Sequence, residues 1–293
     1  MRIASNKLSD LIDFFYSELS SVYSPEEIKL LTQYACKHYL NYSPSDILTG
    51  KNENINQSDV IKLYDCVLAL KQNRPIQYIL GETEFYHLKF KVNPHVLIPR
   101  PETEELVELI IKDCKKAGFE DPDILDIGTG SGCIPIALKK NLEDANVSAV
   151  DVSQEALITA QQNAILNNVT IMFNKVNILT EEADYSLENY DIIVSNPPYI
   201  AKKEADSMHA RVKDFEPQIA LFVDNEDALL FYRRIITLCK KHLNAGGNLY
   251  FELNPIYAQE IKQLAIGCGE FKSVNLLKDL SGNIRFLKAE RND

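Results

Sequence analysis

Chemistry first shows in four consecutive residues, Asn196-Pro197-Pro198-Tyr199, which directly follow the apolar run 190–195. A strand that meets two prolines stops pairing there, because neither proline has an N–H and each holds φ at about −65°. What remains is a stiff lip of backbone carbonyls with few donors competing for them. Such a lip suits a substrate group that offers N–H hydrogens and stays planar, an amide or an exocyclic amine. The Asn196 side chain adds a carbonyl acceptor, and Tyr199 adds an aromatic face against which a flat group can lie. Asn-Pro is also an ordinary way to leave a strand, so the tetrapeptide needs a second motif beside it.

That motif is Asp126-Ile127-Gly128-Thr129-Gly130-Ser131-Gly132, after one predicted strand and before a helix, where open α/β sheets bind ligands. Its glycines allow a tight turn and close approach of a ligand. Asp151 ends the next predicted strand, at the interval where a carboxylate can accept from ribose hydroxyls. Together they point to a nucleoside-containing cofactor. Dinucleotide folds usually carry Gly-x-Gly-x-x-Gly, with the helix N-terminus facing a pyrophosphate. Here the spacing is Gly-x-Gly-x-Gly followed by Cys133, and the acidic Asp126 suits a cationic ligand. S-adenosyl-L-methionine, with its sulfonium and ammonium, fits better than NAD.

The elements that must position these residues form an α/β fold. Expected strands are Ile124 to Ile127, Val147 to Val152, Thr170 to Val176, Asp191 to Ser195, Asn248 to Leu253, Ser273 to Leu277 and Ile284 to Ala289. The first five are separated by helical segments, among them Ser153 to Leu166, Ala228 to His242 and Ile256 to Ile266, which implies a mainly parallel, doubly wound sheet. The last two have only 278–283 between them, too short for a crossover, and should pair antiparallel at one edge. Residues 1–76 read as a small all-α domain, with helical faces built on Leu8, Leu11, Phe15 and Leu19 and on Val60, Leu63, Val67 and Leu70, and a strong helix start at Ser24-Pro25-Glu26-Glu27. Residues 77–99 read as a β-hairpin linker, and 100–293 as the cofactor-binding domain.

Composition narrows the partners. The 293 residues are 45% hydrophobic and 25% charged, with a formal net charge of −11, ordinary for a folded protein but unlike the basic surface that wraps duplex nucleic acid. The N-terminal ten residues lack the pattern of a secretory signal, and no run approaches the roughly 18 apolar residues of a membrane span. Six singly spaced cysteines and five histidines without ligand spacing fit buried thiols in a reducing cytoplasm, and no metal is expected.

With both motifs in hand, the chain resembles the protein-(glutamine-N5) methyltransferase family, specifically the peptide chain release factor glutamine methyltransferases. The segments that carry the resemblance are 74–81 (Arg-Pro-Ile-Gln-Tyr-Ile-Leu-Gly), Phe85-Tyr86, 96–105 (Val-Leu-Ile-Pro-Arg-Pro-Glu-Thr-Glu-Glu), 124–133, 196–200, 231–234 (Phe-Tyr-Arg-Arg) and 279–282 (Asp-Leu-Ser-Gly). The resemblance implies a class I, Rossmann-like methyltransferase domain with a seven-stranded sheet, and a helical N-terminal domain that helps seat the release factor. It implies methyl transfer to the glutamine of the release factor's Gly-Gly-Gln motif. Gly128, Thr129, Gly130, Ser131 and Gly132 would surround the methionine and ribose portions of the cofactor, Asp151 would hold the ribose, Asn177 and Ile178 would flank the adenine, and Arg100 and Thr103 would lie near the methionine end. Read without the resemblance, Thr103 is a helix cap and Arg100 a surface arginine. Three departures stand out: Asn177 where an aspartate is usual, 224–228 in place of a glycine-rich stretch, and Glu252-Leu253-Asn254-Pro255 in place of a segment that usually has Glu-Ile-Gly.

An amide nitrogen is a poor nucleophile because its lone pair is delocalised. The expected mechanism has the Asn196 oxygen and the Pro197 carbonyl accept the two amide hydrogens and aim the nitrogen at the sulfonium methyl, with Pro198 stiffening the lip and Tyr199 holding the amide plane. Alternatives are a DNA or RNA adenine amino-methyltransferase, whose exocyclic amine asks the same of the lip, a non-catalytic partner-binding protein, and, more distantly, an NAD-dependent dehydrogenase. The expected partner is a release factor, with no direct nucleic acid or membrane contact, and the enzyme is expected to be a cytoplasmic monomer.

Overall fold

A computed structural model describes residues 4–201, 210–223 and 227–293. The chain divides into two compact units, one formed by residues up to Gly81 together with the segment ending at Phe215, the other by the remainder.

The first unit contains α1 (Leu8–Leu19), α2 (Pro25–Leu40), α3 (Pro44–Thr49), α4 (Gln57–Lys71) and α5 (Ile76–Leu80). Its core is the apolar stripe anticipated from helical spacing, with Leu8, Leu11, Phe15, Leu19, Ile28, Leu63, Val67 and Leu70 all buried. Helix α2 starts at a full capping box: Ser24 accepts from the Glu27 N–H and the Glu27 carboxylate accepts from the Ser24 N–H, satisfying two otherwise orphaned donors. Helix α3 repeats the device with Ser43 and Asp46. The later segment joins this unit through Arg211, whose guanidinium lies 4.0 Å from the Tyr23 ring centroid and pairs with Glu27.

The second unit opens with a hairpin, β1 (Glu82–Phe85) and β2 (Leu88–Lys91), in antiparallel register with Phe85 opposite Leu88. Its two-residue turn puts Tyr86 and His87 in the left-handed region, at φ 48 and 61, the geometry that matches strand twist but is strained for residues with a Cβ. Two glutamates of the next helix, α6 (Pro101–Ala117), hold it there: Glu104 accepts from the Tyr86 N–H and Glu108 from the Tyr86 hydroxyl. The reading of 77–99 as a linker is corrected on two counts. Residues 77–80 are helical, and the hairpin is part of the second unit's core, because Phe85 and Phe90 are buried with Leu106, Ile110 and Ile134.

The remaining elements in chain order are β3 (Asp123–Ile127), α7 (Cys133–Asn141), β4 (Asn146–Asp151), α8 (Gln154–Leu166), β5 (Met172–Lys175), α9 (Ala183–Ser186), β6 (Tyr190–Ser195), β7 (Ile200–Ala201), α10 (Ala210–Phe215, in the first unit), α11 (Gln218–Leu221), β8 (Phe222–Val223), α12 (Leu230–His242), β9 (Leu243–Glu252), a 3-10 turn (Pro255–Tyr257), α13 (Ala258–Gly267), β10 (Phe271–Lys278) and β11 (Ile284–Arg291). Seven strands form one sheet in the order β10-β11-β9-β6-β3-β4-β5. All neighbours from β9 to β5 are parallel, and β11 runs antiparallel to both β9 and β10, as the short 278–283 connection requires. The strand order reverses between β3 and β6, which opens a crevice at their C-terminal ends.

Candidate active site

Three parallel strands end level with one another at this crevice. Ile127 lies opposite Ser195, and Ser195 opposite Phe251, so Gly128, Asn196 and Glu252 are the next residues of β3, β6 and β9's last turn of chain. The buried Ser195 hydroxyl donates to the Ile127 carbonyl at 2.7 Å, fixing the root of the lip to the root of the glycine turn. The two motifs therefore face one cleft, with about 1050 Å³ of empty space that is partly open to solvent. Gly128, Thr129, Gly130 and Ser131 line it from the turn, Asp151 from the end of β4, Asn177 and Ile178 from beyond β5, Arg100 and Thr103 from the start of α6, and Asn196, Pro197 and Pro198 from the lip.

Two expected residues stand apart from the lining. Tyr199 is half-buried and packs against the core beneath the lip, where burial pushes its hydroxyl up to about 12. Gly132 turns away from the cleft: a Cβ there would sit 3.0 Å from the Ala160 Cβ and 3.1 Å from Ile136 Cδ1. Its absent side chain lets α7 and α8 close up, the packing role that the third glycine of a dinucleotide motif plays. At Gly128 and Gly130 a Cβ would meet nothing within 4 Å, so these two leave room in the cleft.

Asp151 holds the turn. One of its oxygens accepts from the Gly130 N–H and the other from the Ser153 N–H, each at 2.9 Å. Burial raises its carboxyl, and these backbone donors pull it back. Asp126 has no such support. It is fully buried, neither oxygen has a hydrogen-bonding partner, and desolvation pushes its carboxyl up to about 7. A buried carboxyl behind the turn becomes easier to ionise with a cation in front of it, and harder with a pyrophosphate there. The open Gly128 and Gly130, Asp151 on the cleft wall and this buried carboxyl fit S-adenosylmethionine.

The lip has a support that sequence reading missed. Thr103, which the resemblance places near the methionine end and which otherwise reads as a helix cap, caps nothing, since α6 has no side-chain cap. Its hydroxyl instead donates to buried Glu252 at 2.7 Å, and the same oxygen receives a long, 3.5 Å hydrogen bond from the Asn196 side-chain nitrogen. Arg100 is likewise more than a surface arginine, because it pairs with buried Glu216, which also accepts from the Ile98 N–H. Asn254, one of the departures, donates to the Tyr199 carbonyl at 3.4 Å. At the other departure, Asn177 is exposed, and its side-chain oxygen accepts from the Leu179 N–H at 3.1 Å. Of the third, residues 224–226 lie outside the described residues.

A second missed set fixes the floor of the turn. Thr159 and Asn163 of α8 and its C-cap residue Asn167 fall on one stripe. Fully buried Asn163 donates to Ser131 O and Lys91 O and accepts from the Lys91 N–H, while Asn167 reaches Lys89 O, and Thr159 accepts from Asn93. These bonds tie β2 and the glycine turn to one helix. The visible signal was three polar residues at i, i+4 and i+8 on an otherwise buried face.

Two family models match the chain: a methyltransferase small domain over residues 103–214 and a PrmC N-terminal domain over 10–81. The release factor glutamine methyltransferase of Flavobacterium psychrophilum is 45% identical over 94% of this chain and 95% of its own. That of Bacteroides thetaiotaomicron is 43% identical over 95% and 98%. This chain belongs to the release factor glutamine methyltransferase family. Among solved structures, the hMettl16 catalytic domain in complex with a MAT2A 3′UTR hairpin aligns with a TM-score of 0.55 and 20% identity over 84% of each chain. The Thermus thermophilus 16S rRNA N2 G1207 methyltransferase aligns at 0.52 and 18%, over 72% of this chain and 50% of its own. At that identity they show the shared Rossmann-like methyltransferase fold, which this release factor glutamine methyltransferase family member carries beside its helical N-terminal domain.

Proposed function

We propose that this protein methylates the side-chain amide nitrogen of the glutamine in the Gly-Gly-Gln motif of a peptide chain release factor, with S-adenosylmethionine as donor. The observation that carries the reading is the registration of Ser195 with Ile127 on paired strands, each one residue before Asn196 and Gly128, with the lip and the glycine turn lining one cleft. The 45% identity to a named release factor glutamine methyltransferase supports the substrate.

When bound, S-adenosylmethionine supplies an electrophilic methyl group on a sulfonium. Gly128 to Ser131, Asp151, Asn177, Ile178, Arg100 and Thr103 would hold it. The Asn196 carboxamide oxygen and the Pro197 carbonyl accept the two hydrogens of the glutamine amide, orient its nitrogen and raise the electron density there. Pro198 keeps these acceptors from drifting. Tyr199, seated on the core, would steady the lip from beneath. No strong base is needed before attack, because the methylated nitrogen becomes acidic and loses its proton afterwards.

The helical domain, residues 1–76, is proposed to dock the release factor. A protein substrate suits a net charge of −11 better than nucleic acid does. Among the described residues no helix is long and apolar enough to cross a membrane, and a cytoplasmic monomer is the proposed form. The test offers labelled S-adenosylmethionine to purified release factor and to DNA in parallel and locates the methyl group by mass spectrometry. Label on the Gly-Gly-Gln glutamine is expected, and label on DNA alone would contradict the proposal.

A further inference from the structure

We infer that Glu252 is a positioning residue that fixes the direction of the Thr103 hydroxyl and, through it, which end of the Asn196 carboxamide faces the substrate. The inference rests on the proposed function for its catalytic consequence, but the geometry belongs to the site itself.

Thr103 has one hydroxyl proton and spends it on Glu252, which lies 2.7 Å away and is almost fully buried. Its oxygen can then only accept from the carboxamide, and the Asn196 nitrogen is the end that faces it. The carboxamide oxygen is left for the amide hydrogens of the substrate. An ionised Glu252 permits no other arrangement, because a carboxylate only accepts. A neutral Glu252 can donate to Thr103, which frees the Thr103 proton for the Asn196 oxygen. The carboxamide would then present its NH2 to the substrate NH2, donor against donor.

The surroundings place this choice within reach of ordinary pH. Desolvation raises the Glu252 carboxyl to about 7, opposed by the Thr103 hydrogen bond and by Arg285 of β11 and Arg100, with Glu102 adding to the rise. Arg285 is shared with Asp279, which lies 3.5 Å from it. The remaining titratable neighbours, Tyr199 from the lip, Tyr232 from α12 and Cys133 from α7, are all held in their neutral forms by burial. Tyr232 donates to the Glu252 backbone carbonyl, not to its side chain.

The first test needs no substrate: the side-chain 15N and 1H resonances of Asn196 are followed across pH in the wild type and in Glu252→Gln. They should titrate with a midpoint at about pH 7 in the wild type and stay flat in the variant. No titration in the wild type, or one that persists in Glu252→Gln, would overturn the inference. The second test compares kcat and S-adenosylmethionine Kd. At saturating S-adenosylmethionine Thr103→Val should lose at least about tenfold in kcat, more than it loses in cofactor affinity, and Thr103→Ser should restore most of the rate. Equal kcat in wild type and Thr103→Val, or equal loss in the Ser and Val variants, would overturn it. A wild type whose Asn196 titrates as expected but which methylates no release factor would refute the proposed function while leaving the positioning role intact.

Discussion

Ser195 and Ile127 are tied across β6 and β3 by a buried hydroxyl-to-carbonyl hydrogen bond of 2.7 Å, one residue short of Asn196 on one side and Gly128 on the other. The distance between acceptor lip and cofactor turn is thus set by strand registration plus one side-chain bond. Ser195→Ala should cost about 1 kcal/mol of stability and lower kcat several-fold by loosening the lip. Urea denaturation and steady-state kinetics on the same preparation check both.

Asp151 is bound to the turn through Gly130 and to α8 through Ser153, and its carboxylate also faces the cleft. Asp151→Ala removes the proposed acceptor for the ribose and the anchor of the turn together. S-adenosylmethionine Kd should rise by about ten- to a hundredfold, since hydrogen bonds to charged groups are worth roughly 1.5–3 kcal/mol. Calorimetric titration measures it.

Asp126 links the site to pH. Its carboxyl moves from an ordinary 3.8 to about 7 on folding, so between those values the folded state binds the proton that the unfolded state has released. Stability therefore falls as pH rises through that window, and the full cost stands above about pH 7. Asp126→Asn should stabilise the ligand-free protein by on the order of a few kcal/mol at about pH 8, with little gain near pH 4. It should also weaken binding of the cationic cofactor. Thermal melts across pH, with and without S-adenosylmethionine, separate the two effects.

The glycines divide by role. Gly132→Ala meets Ala160 and Ile136 at a φ of +79, combining a clash between α7 and α8 with left-handed strain of roughly 1–2 kcal/mol, and should chiefly lower Tm. Gly130→Ala carries similar strain, at φ +54, but its methyl enters open cleft. It should chiefly raise the cofactor Kd. A variant pair in which Gly130→Ala binds normally would contradict the placement of the cofactor against the turn.

Local patterns made much of this legible. The strands were visible because buried parallel strands are short apolar runs between turn signals. The two motifs were visible because prolines and glycines constrain the backbone wherever they stand. The edge pairing of β10 with β11 followed from a connection too short for anything else. The hairpin deceived because its alternation gave its strands but not what they pack on, and the answer lay in Asn163 and Asn167, more than seventy residues away. Glu252 was seen only as part of an atypical segment, since nothing local shows that Thr103, 149 positions earlier, gives it a hydroxyl proton. Buried polar partners joined across such separations are set by tertiary packing, and sequence spacing carries little of that.

The most direct test of the lip is Asn196→Ala, assayed for kcat with release factor and separately for S-adenosylmethionine Kd. Loss of one oriented acceptor should depress kcat by about a hundredfold or more while Kd stays within about threefold of wild type. Equal losses in rate and cofactor affinity, or an undiminished rate, would contradict capture of the amide by Asn196.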